Sequence, residues 1–387
     1  MIGSVLAIAK GGAGVVRDGE RAVFVPGVVA GETVEYSVAG RLRSAWQGRL
    51  LRVLEPSPER VPPPCPHYGD CGGCNLQHMS LAEQQRSKAA ILTDNLRRIA
   101  GSAPQAPPPL LASPAERCRS KAEFQVAGGA AGFFARESHR VVEVAGCLLL
   151  PRVSEEHFLR LRPRAAALDR GQWRVLSDGC ALASLLEGND GRREWLSPGR
   201  SVSFAIGPHE WRVGPENFVQ ANLFQLAPMV ALLTGVVERE RPGTAADLFC
   251  GAGFFTLPLA ARCDRVTALE SDPANLASLR ANLERNRIAH VRVLATDALR
   301  GAPLEAELAV VDPPRGGLSG RLVSALAAGP ARTVVYFSCD SATFARDLRL
   351  FQARGFVLEE LKLIDNFPHS DHFEIFSVLK RAELSDQ

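Results

Sequence analysis

At 387 residues the chain has room for two or three domains. Its 46% hydrophobic and 22% charged residues are ordinary for a globular protein, and no apolar run reaches the ~18 residues of a membrane-spanning helix. The first residues lack the pattern of a secretory signal, so no membrane association and a cytoplasmic location are expected. A net charge of +3 alone names no partner, but Arg outnumbers Lys, and Arg grips phosphates in a planar fork.

The first stretch, up to about residue 53, is rich in Gly and Val. Short alternating runs, Arg21-Ala22-Val23-Phe24-Val25 and Glu32-Thr33-Val34-Glu35-Tyr36-Ser37-Val38, are punctuated by Pro26-Gly27 and Ala30-Gly31. Such spacing predicts a small β-barrel. Arg41, Arg43, Arg49 and Arg52, with Trp46 among them, suit RNA through phosphate contacts and base stacking. Six prolines between Pro56 and Pro66 mark a stiff linker.

Three cysteines follow, Cys65, Cys71 and Cys74, with Gly72 and Gly73 between the last two. In a reducing compartment clustered cysteines indicate metal or catalysis rather than disulfides. A fourth thiolate must come from elsewhere. Cys147, beside Gly146 in a tight turn, suits better than Cys118 or Cys180. Four thiolates fit zinc and an iron–sulfur cluster equally by count. A helix is predicted over 80–100, with Ser80 as N-cap, Glu83 completing a capping box and Gly101 as its stop. Residues 118–213 read as β-rich and irregular, with strands at 123–126 and 141–144 and a helix at 155–168.

From about residue 217 helices and strands alternate, which predicts a mostly parallel sheet covered on both faces. Strands are expected at 245–249, 266–269, 291–294, 308–311 and 333–337, and helices at 223–238, 273–286 and 319–328. A closing hairpin at 357–363 and 372–379 should add one antiparallel strand. The loop Asp247-Leu248-Phe249-Cys250-Gly251-Ala252-Gly253 joins strand to helix and lets the backbone approach a ligand. It lacks the third Gly of a dinucleotide fingerprint. Glu270 lies about 20 residues on, where a carboxylate accepts from ribose hydroxyls. Asp297 and Asp312 close the next two strands, and Asp312-Pro313-Pro314 holds its acid rigidly in the crevice. Together these acids predict an adenosyl-cofactor site. Cys339 ends the last parallel strand, pointing a nucleophile into the same crevice, and Glu374 begins the final strand as a candidate base. A thiol and a methyl donor in one crevice imply covalent methyl transfer to an unreactive carbon.

These motifs resemble those of the RNA uracil-5-methyltransferase family over nearly the whole chain. Ala9-Lys10-Gly11-Gly12-Ala13-Gly14 and Phe24-Val25-Pro26-Gly27 look like its RNA-binding TRAM barrel, and Gln77-His78 after Cys74 is typical. The resemblance implies a [4Fe–4S] cluster on Cys65, Cys71, Cys74 and Cys147. It also implies S-adenosylmethionine (AdoMet) contacted by Gln220 of Phe218-Val219-Gln220-Ala221-Asn222, with Phe249, Glu270, Asp297 and Asp312 at other cofactor or active-site positions. Cys339 would be the nucleophile and Glu374 the base. The implied architecture is α/β: a Rossmann-like class I methyltransferase domain (215–387), an N-terminal OB-like TRAM barrel (1–54) and a central α+β iron–sulfur domain (55–214). The expected product is 5-methyluridine in ribosomal RNA, made by a monomer. The alternatives are transfer RNA as substrate, or a non-catalytic RNA-binding or assembly factor. Asp340-Ser341 departs from the Asn-Pro usual after the nucleophile, and Phe254 replaces a more polar residue.

Overall fold

The computed structural model describes residues 1–43, 45–300 and 304–382. Five strands, β1 (Ile2–Ile8), β2 (Ala13–Asp18), β3 (Arg21–Pro26), β4 (Thr33–Arg41) and β5 (Trp46–Glu55), close into a barrel of order β1-β2-β3-β5-β4. Alternation does the work: Val5, Val16, Val23, Val25, Val34 and Tyr36 point inward and are at most 2% exposed. Arg21 and Arg41 stand outside, over the Trp46 ring at 5.3 and 5.7 Å.

Helix α1 (Leu81–Asn95) starts where Ser80 Oγ accepts from Glu83 N at 3.2 Å. The expected box closes only on that side. Ser80 N donates to Glu59 O, and the Glu83 carboxylate turns to Arg86 and Ser87. A wider π-type turn, Leu96–Ala100, completes the predicted span, and Gly101 ends it in the left-handed region. The polar residues Gln84 and Lys88 are buried, whereas Leu81 is exposed. Lys88 is buried because it has a buried acid, Asp365, to meet.

The Pro-rich stretch after α1 contributes β6 (Leu110–Leu111). A six-stranded sheet follows, of order β12-β11-β10-β7-β8-β9: β7 (Lys121–Ala127), β8 (Ala130–Phe134), β9 (Val141–Glu143), β10 (Arg170–Ser177), β11 (Leu182–Gly188) and β12 (Arg193–Trp195). Helix α2 (Arg152–Ala166) packs Phe158 against Phe124 and Trp173 of this sheet. A separate hairpin, β13 (Val202–Ile206) and β14 (His209–Val213), was not resolved by pattern.

The remaining elements are α3 (Leu226–Glu240), β15 (Thr244–Leu248), α4 (Thr256–Ala260), β16 (Arg265–Glu270), α5 (Pro273–Arg285), β17 (Val291–Ala295), β18 (Leu308–Val311), α6 (Gly320–Ala328), β19 (Thr333–Ser338), α7 (Ser341–Gln352), β20 (Phe356–Ile364) and β21 (Glu374–Arg381). They build an eight-stranded sheet of order β17-β16-β15-β18-β19-β21-β20-β6. Its strands are parallel except β21, which is antiparallel to both neighbours. Every residue of β18 and β19 is buried, as expected for strands covered on both faces. One face carries α1, α6 and α7 with Ile91, Leu322, Phe344 and Phe351. The other carries α3 and α4 with Met229, Leu233 and Leu259. Strand order reverses between β15 and β18, which opens a crevice at their C-terminal ends.

Candidate active site

The crevice begins with the loop after β15. Phe249 and Gly251 have φ of 63° and 55°, and Gly253 has 92°. A Cβ on Gly253 would stand 2.7 Å from Leu279 Cδ1, so only Gly lets the loop pack on α5. The loop is held from outside by Trp211 of the β13–β14 hairpin, whose Nε1 donates to Gly253 O at 2.9 Å. Gly251 N donates to Glu270 Oε2 at 2.9 Å, and Ser271 N and Asp272 N donate to Glu270 Oε1 at 2.6 and 2.7 Å. Three backbone donors thus orient the Glu270 carboxylate at the end of β16. Asp297, two residues past β17, caps its own turn through Leu299 N at 2.9 Å.

One cleft is lined by Phe218, Gln220, Phe249, Glu270, Asp297, Asp312, Cys339 and Glu374. The structure therefore brings together all seven residues expected for cofactor binding and catalysis. Gln220 is buried, and its Nε2 donates to Asp312 Oδ2 at 2.8 Å. Arg315, His372 and Phe367 also line the cleft, although pattern alone gave them no role. Arg315 follows the Asp312-Pro313-Pro314 turn and brings a cation to a cleft otherwise rich in acids.

β21 explains how Cys339 and Glu374 meet. It pairs with β19 as far as Ser338 opposite Ile375, so Cys339, the next residue after β19, and Glu374, the first residue of β21, come to the same end of the sheet and line one cleft. Burial, then the charges of Glu374 and Asp312, push the Cys339 thiol up to about 12, while Arg315 pulls it down. Burial and the nearby Asp312 hold Glu374 well above the carboxylate range. Burial likewise raises Asp312 to about 7, against the pull of Gln220. Acids sharing a dry cleft retain protons that water would remove.

The loop 365–372, which leads into Glu374, is fastened from two sides. Lys88 of α1 is fully buried and donates from Nζ to Asp365 Oδ1 at 2.6 Å and Phe367 O at 3.0 Å. Gln84 Oε1 accepts from His369 N at 2.9 Å. Asn75 Nδ2 donates to Asp371 Oδ1 at 2.7 Å, and Gly11 N, from the β1–β2 turn of the barrel, donates to Asp371 Oδ2 at 2.7 Å.

The four cysteines Cys65, Cys71, Cys74 and Cys147 line a second pocket with Tyr68, Gln77 and Arg119. A Cβ on Gly72 would lie 2.9 Å from Phe134 O, so this Gly lets the turn lie against β8. Cys147 N donates to Glu155 Oε1 at 2.9 Å, and Cys65 N to Gln77 Oε1 at 3.1 Å. Among the described residues, no group of three or more His, Cys, Asp or Glu side chains stands ready to hold a metal ion. The residue types nevertheless suit a thiophilic group: four cysteines line one pocket with the Arg119 cation beside them. Burial, with the other thiols adding to it, raises Cys71 and Cys147, and Cys74 rises to about 12.

This pocket is tied to the crevice by the short segment Arg117–Ser120. Arg117 N and Arg119 N donate to Leu148 O and Leu149 O, each at 2.8 Å. On the other side Ser120 N donates to Ala221 O at 2.9 Å and Leu223 N to Cys118 O at 2.7 Å. Ser120 Oγ adds a bond to Gln220 O at 2.6 Å.

A parallel sheet with this strand order, Gly loop and acid at the end of β16 defines a class I methyltransferase. Comparison with known proteins narrows that class. Residues 227–321 match the profile of the methyltransferase small domain, and residues 299–382 that of tRNA (uracil-5-)-methyltransferase. The chain is 33% identical to the 23S rRNA (uracil(1939)-C(5))-methyltransferase RlmD of Halomonas elongata, over 97% of this chain and 88% of that one. It is 31% identical to the protein of the same description from Alkalilimnicola ehrlichii, over 98% and 96%. Among solved structures, the Pyrococcus abyssi tRNA (uracil-54, C5)-methyltransferase in complex with S-adenosyl-L-homocysteine superposes with a TM-score of 0.75. It covers 98% of this chain and 99% of that one, at 21% identity. The chain belongs to the RNA uracil-5-methyltransferase family.

Proposed function

We propose that the protein transfers a methyl group from AdoMet to carbon 5 of a uridine in 23S ribosomal RNA. The observation that best supports this is that Cys339, one residue past β19, and Glu374, the first residue of β21, line one cleft with Gln220, Glu270 and Asp312. Cys339 gives its thiol proton to solvent, and the thiolate adds to uracil carbon 6 as the carbon 5–carbon 6 pair moves toward oxygen 4. Carbon 5 of the enolate then takes the sulfonium methyl, and S-adenosylhomocysteine leaves. Glu374 removes the carbon 5 proton, and the freed pair expels Cys339. Glu270 accepts the ribose hydroxyls of AdoMet, Asp297 its adenine amino group, and Gln220 and Phe249 flank the rest. Asp312 stands beside the target base. Arg315 favours the thiolate once RNA has displaced water from the cleft.

Three domains divide this work. Residues 1–54 form a TRAM barrel that grips RNA through the basic groups around Trp46. Residues 55–214 hold a [4Fe–4S] cluster on Cys65, Cys71, Cys74 and Cys147, and residues 215–387 carry out the chemistry. Four protein ligands would leave the cluster no open iron on which to bind AdoMet, so these residues would hold it as a structural or RNA-positioning group. The protein acts as a monomer in the cytoplasm, with AdoMet and RNA as its partners.

Nucleoside mass spectrometry of ribosomal and transfer RNA from a deletion strain tests the assignment. Loss of 5-methyluridine from 23S RNA is the expected result. Loss from transfer RNA alone would move the substrate to the class named for the Pyrococcus abyssi enzyme. Unchanged methylation by Cys339→Ala would refute the covalent route.

A further inference from the structure

We propose that Lys10, in the turn between β1 and β2 of the barrel, is a positioning residue for the nucleophile Cys339. The inference rests on the methyl-transfer reading above and goes beyond it by giving the barrel a part in the chemical step. Lys10 Nζ forms an ion pair with Asp340 Oδ2, 330 residues away in the chain. Asp340 directly follows Cys339, and its other oxygen caps α7, accepting from Ala342 N at 3.0 Å and Thr343 N at 2.9 Å. On the other side of Cys339, Ser338 Oγ donates to Asp340 O at 3.2 Å. Cys339 is thus the single residue between the end of β19 and a capped helix start. The direction in which that step leaves the strand is set by where Asp340 is held.

The adjoining contacts show that the barrel turn is docked there rather than brushing past. Gly11 N donates to Asp371 Oδ2 at 2.7 Å, and Asn75 Nδ2 bridges Gly11 O at 3.0 Å and Asp371 Oδ1 at 2.7 Å. One turn of the barrel therefore touches both the loop that carries the nucleophile and the loop that leads to the base. The Lys10 and Asp340 side chains are 40% and 18% exposed, so their coupling is partly shielded from solvent. Asp340 also accounts for the departure from Asn-Pro: Asp caps a helix as well as Asn does, and in addition gives Lys10 a charge to hold.

The test uses the full-length enzyme and 5-fluorouridine-containing RNA, which stalls the reaction at the Cys339 adduct. Single-turnover adduct formation at saturating RNA and AdoMet is compared for the wild type, Lys10→Met, Lys10→Arg, Asp340→Asn and the Lys10→Met/Asp340→Asn pair. Each charge-removing variant is expected to slow adduct formation about fivefold, the pair no more than either alone, with Lys10→Arg near wild type. Affinity for RNA and its salt dependence should not change. A Lys10→Met effect confined to RNA affinity, with a shallower salt slope, would make Lys10 a phosphate contact and overturn the proposal. So would additive effects of the two substitutions. Amide exchange separates this from the wider reading. If the wild type binds RNA and AdoMet but forms no adduct, the methyl-transfer reading fails. Exchange at Ala342 and Thr343 still reports on the clamp, with about fivefold faster exchange expected in Lys10→Met and unchanged exchange refuting it.

Discussion

Replacing Lys88 by Met isolates what the buried ammonium does for the catalytic loop. Its side chain is 0% exposed and that of Asp365 is 3%, and the pair lies 2.6 Å apart. Methionine fills similar volume but leaves the Asp365 carboxylate without its cation and the Phe367 carbonyl without its donor. Removing one partner of a buried pair costs about 3–5 kcal/mol, of which the lost bond to Phe367 accounts for about 1. In a chain of this size that corresponds to a fall in melting temperature of roughly 5 °C. Because the loop leads straight into Glu374, turnover at saturating RNA should fall as well, with little change in AdoMet affinity. Thermal and urea melts with single-turnover methylation provide the assay. The variant Lys88→Met/Asp365→Leu, which removes both charges, should regain most of the stability. A Lys88→Met protein within about 0.5 kcal/mol of wild type, the range of an ordinary surface substitution, would refute the reasoning.

Three further outcomes follow from the same geometry. Since the Glu374 charge helps to push the Cys339 thiol up to about 12, Glu374→Gln should make Cys339 alkylate faster with iodoacetamide at pH 9. An unchanged rate would separate the two side chains. Asp247 is fully buried, with one oxygen accepting from Thr256 at 2.6 Å, and burial raises it from 3.8 to about 7. The folded chain then holds a proton that the unfolded chain releases, so this group lowers stability as pH rises from about 4 to 7. Asp247→Asn should flatten that decline between urea melts at pH 5 and pH 8, and an unaltered difference would count against it. Cys74→Ser should yield protein with less iron and weaker absorbance near ~400 nm than wild type. Wild-type protein that is colourless and carries zinc would rule out the cluster.

What could be read from the chain was chemistry with a local signature. The Gly loop, Glu270, the rigid Asp312-Pro313-Pro314 turn and Cys339 each announce themselves within a few residues, because a strand end needs both a turn and a functional group there. Elements fixed by distant partners left no such mark. β6 is two residues in a Pro-rich stretch, and it exists because Leu363 and Ile364 of β20 pair with it. Lys88 carries no local mark of its burial, since Asp365 lies 277 residues away. Helix α7 did carry a signal, an Asp340 cap followed by Phe344, Leu348 and Phe351 on one face. The two residues after Cys339 both depart from the family motif and start a helix, Asp340 as its cap and Ser341 as its first residue.

The segment from Arg117 to Ser120 sets a limit on how this chain can vary. Four of its main-chain bonds, two to the turn after Cys147 and two to the segment around Gln220, are made by backbone groups that most side chains would leave in place. Adding or deleting one residue would slip both registers at once and turn inward-facing side chains outward. Length at this spot is therefore constrained more tightly than spelling, because the distance between the thiol pocket and the methyl-donor pocket is held mainly by backbone bonds, with the Ser120 hydroxyl and the Arg117 guanidinium adding to them.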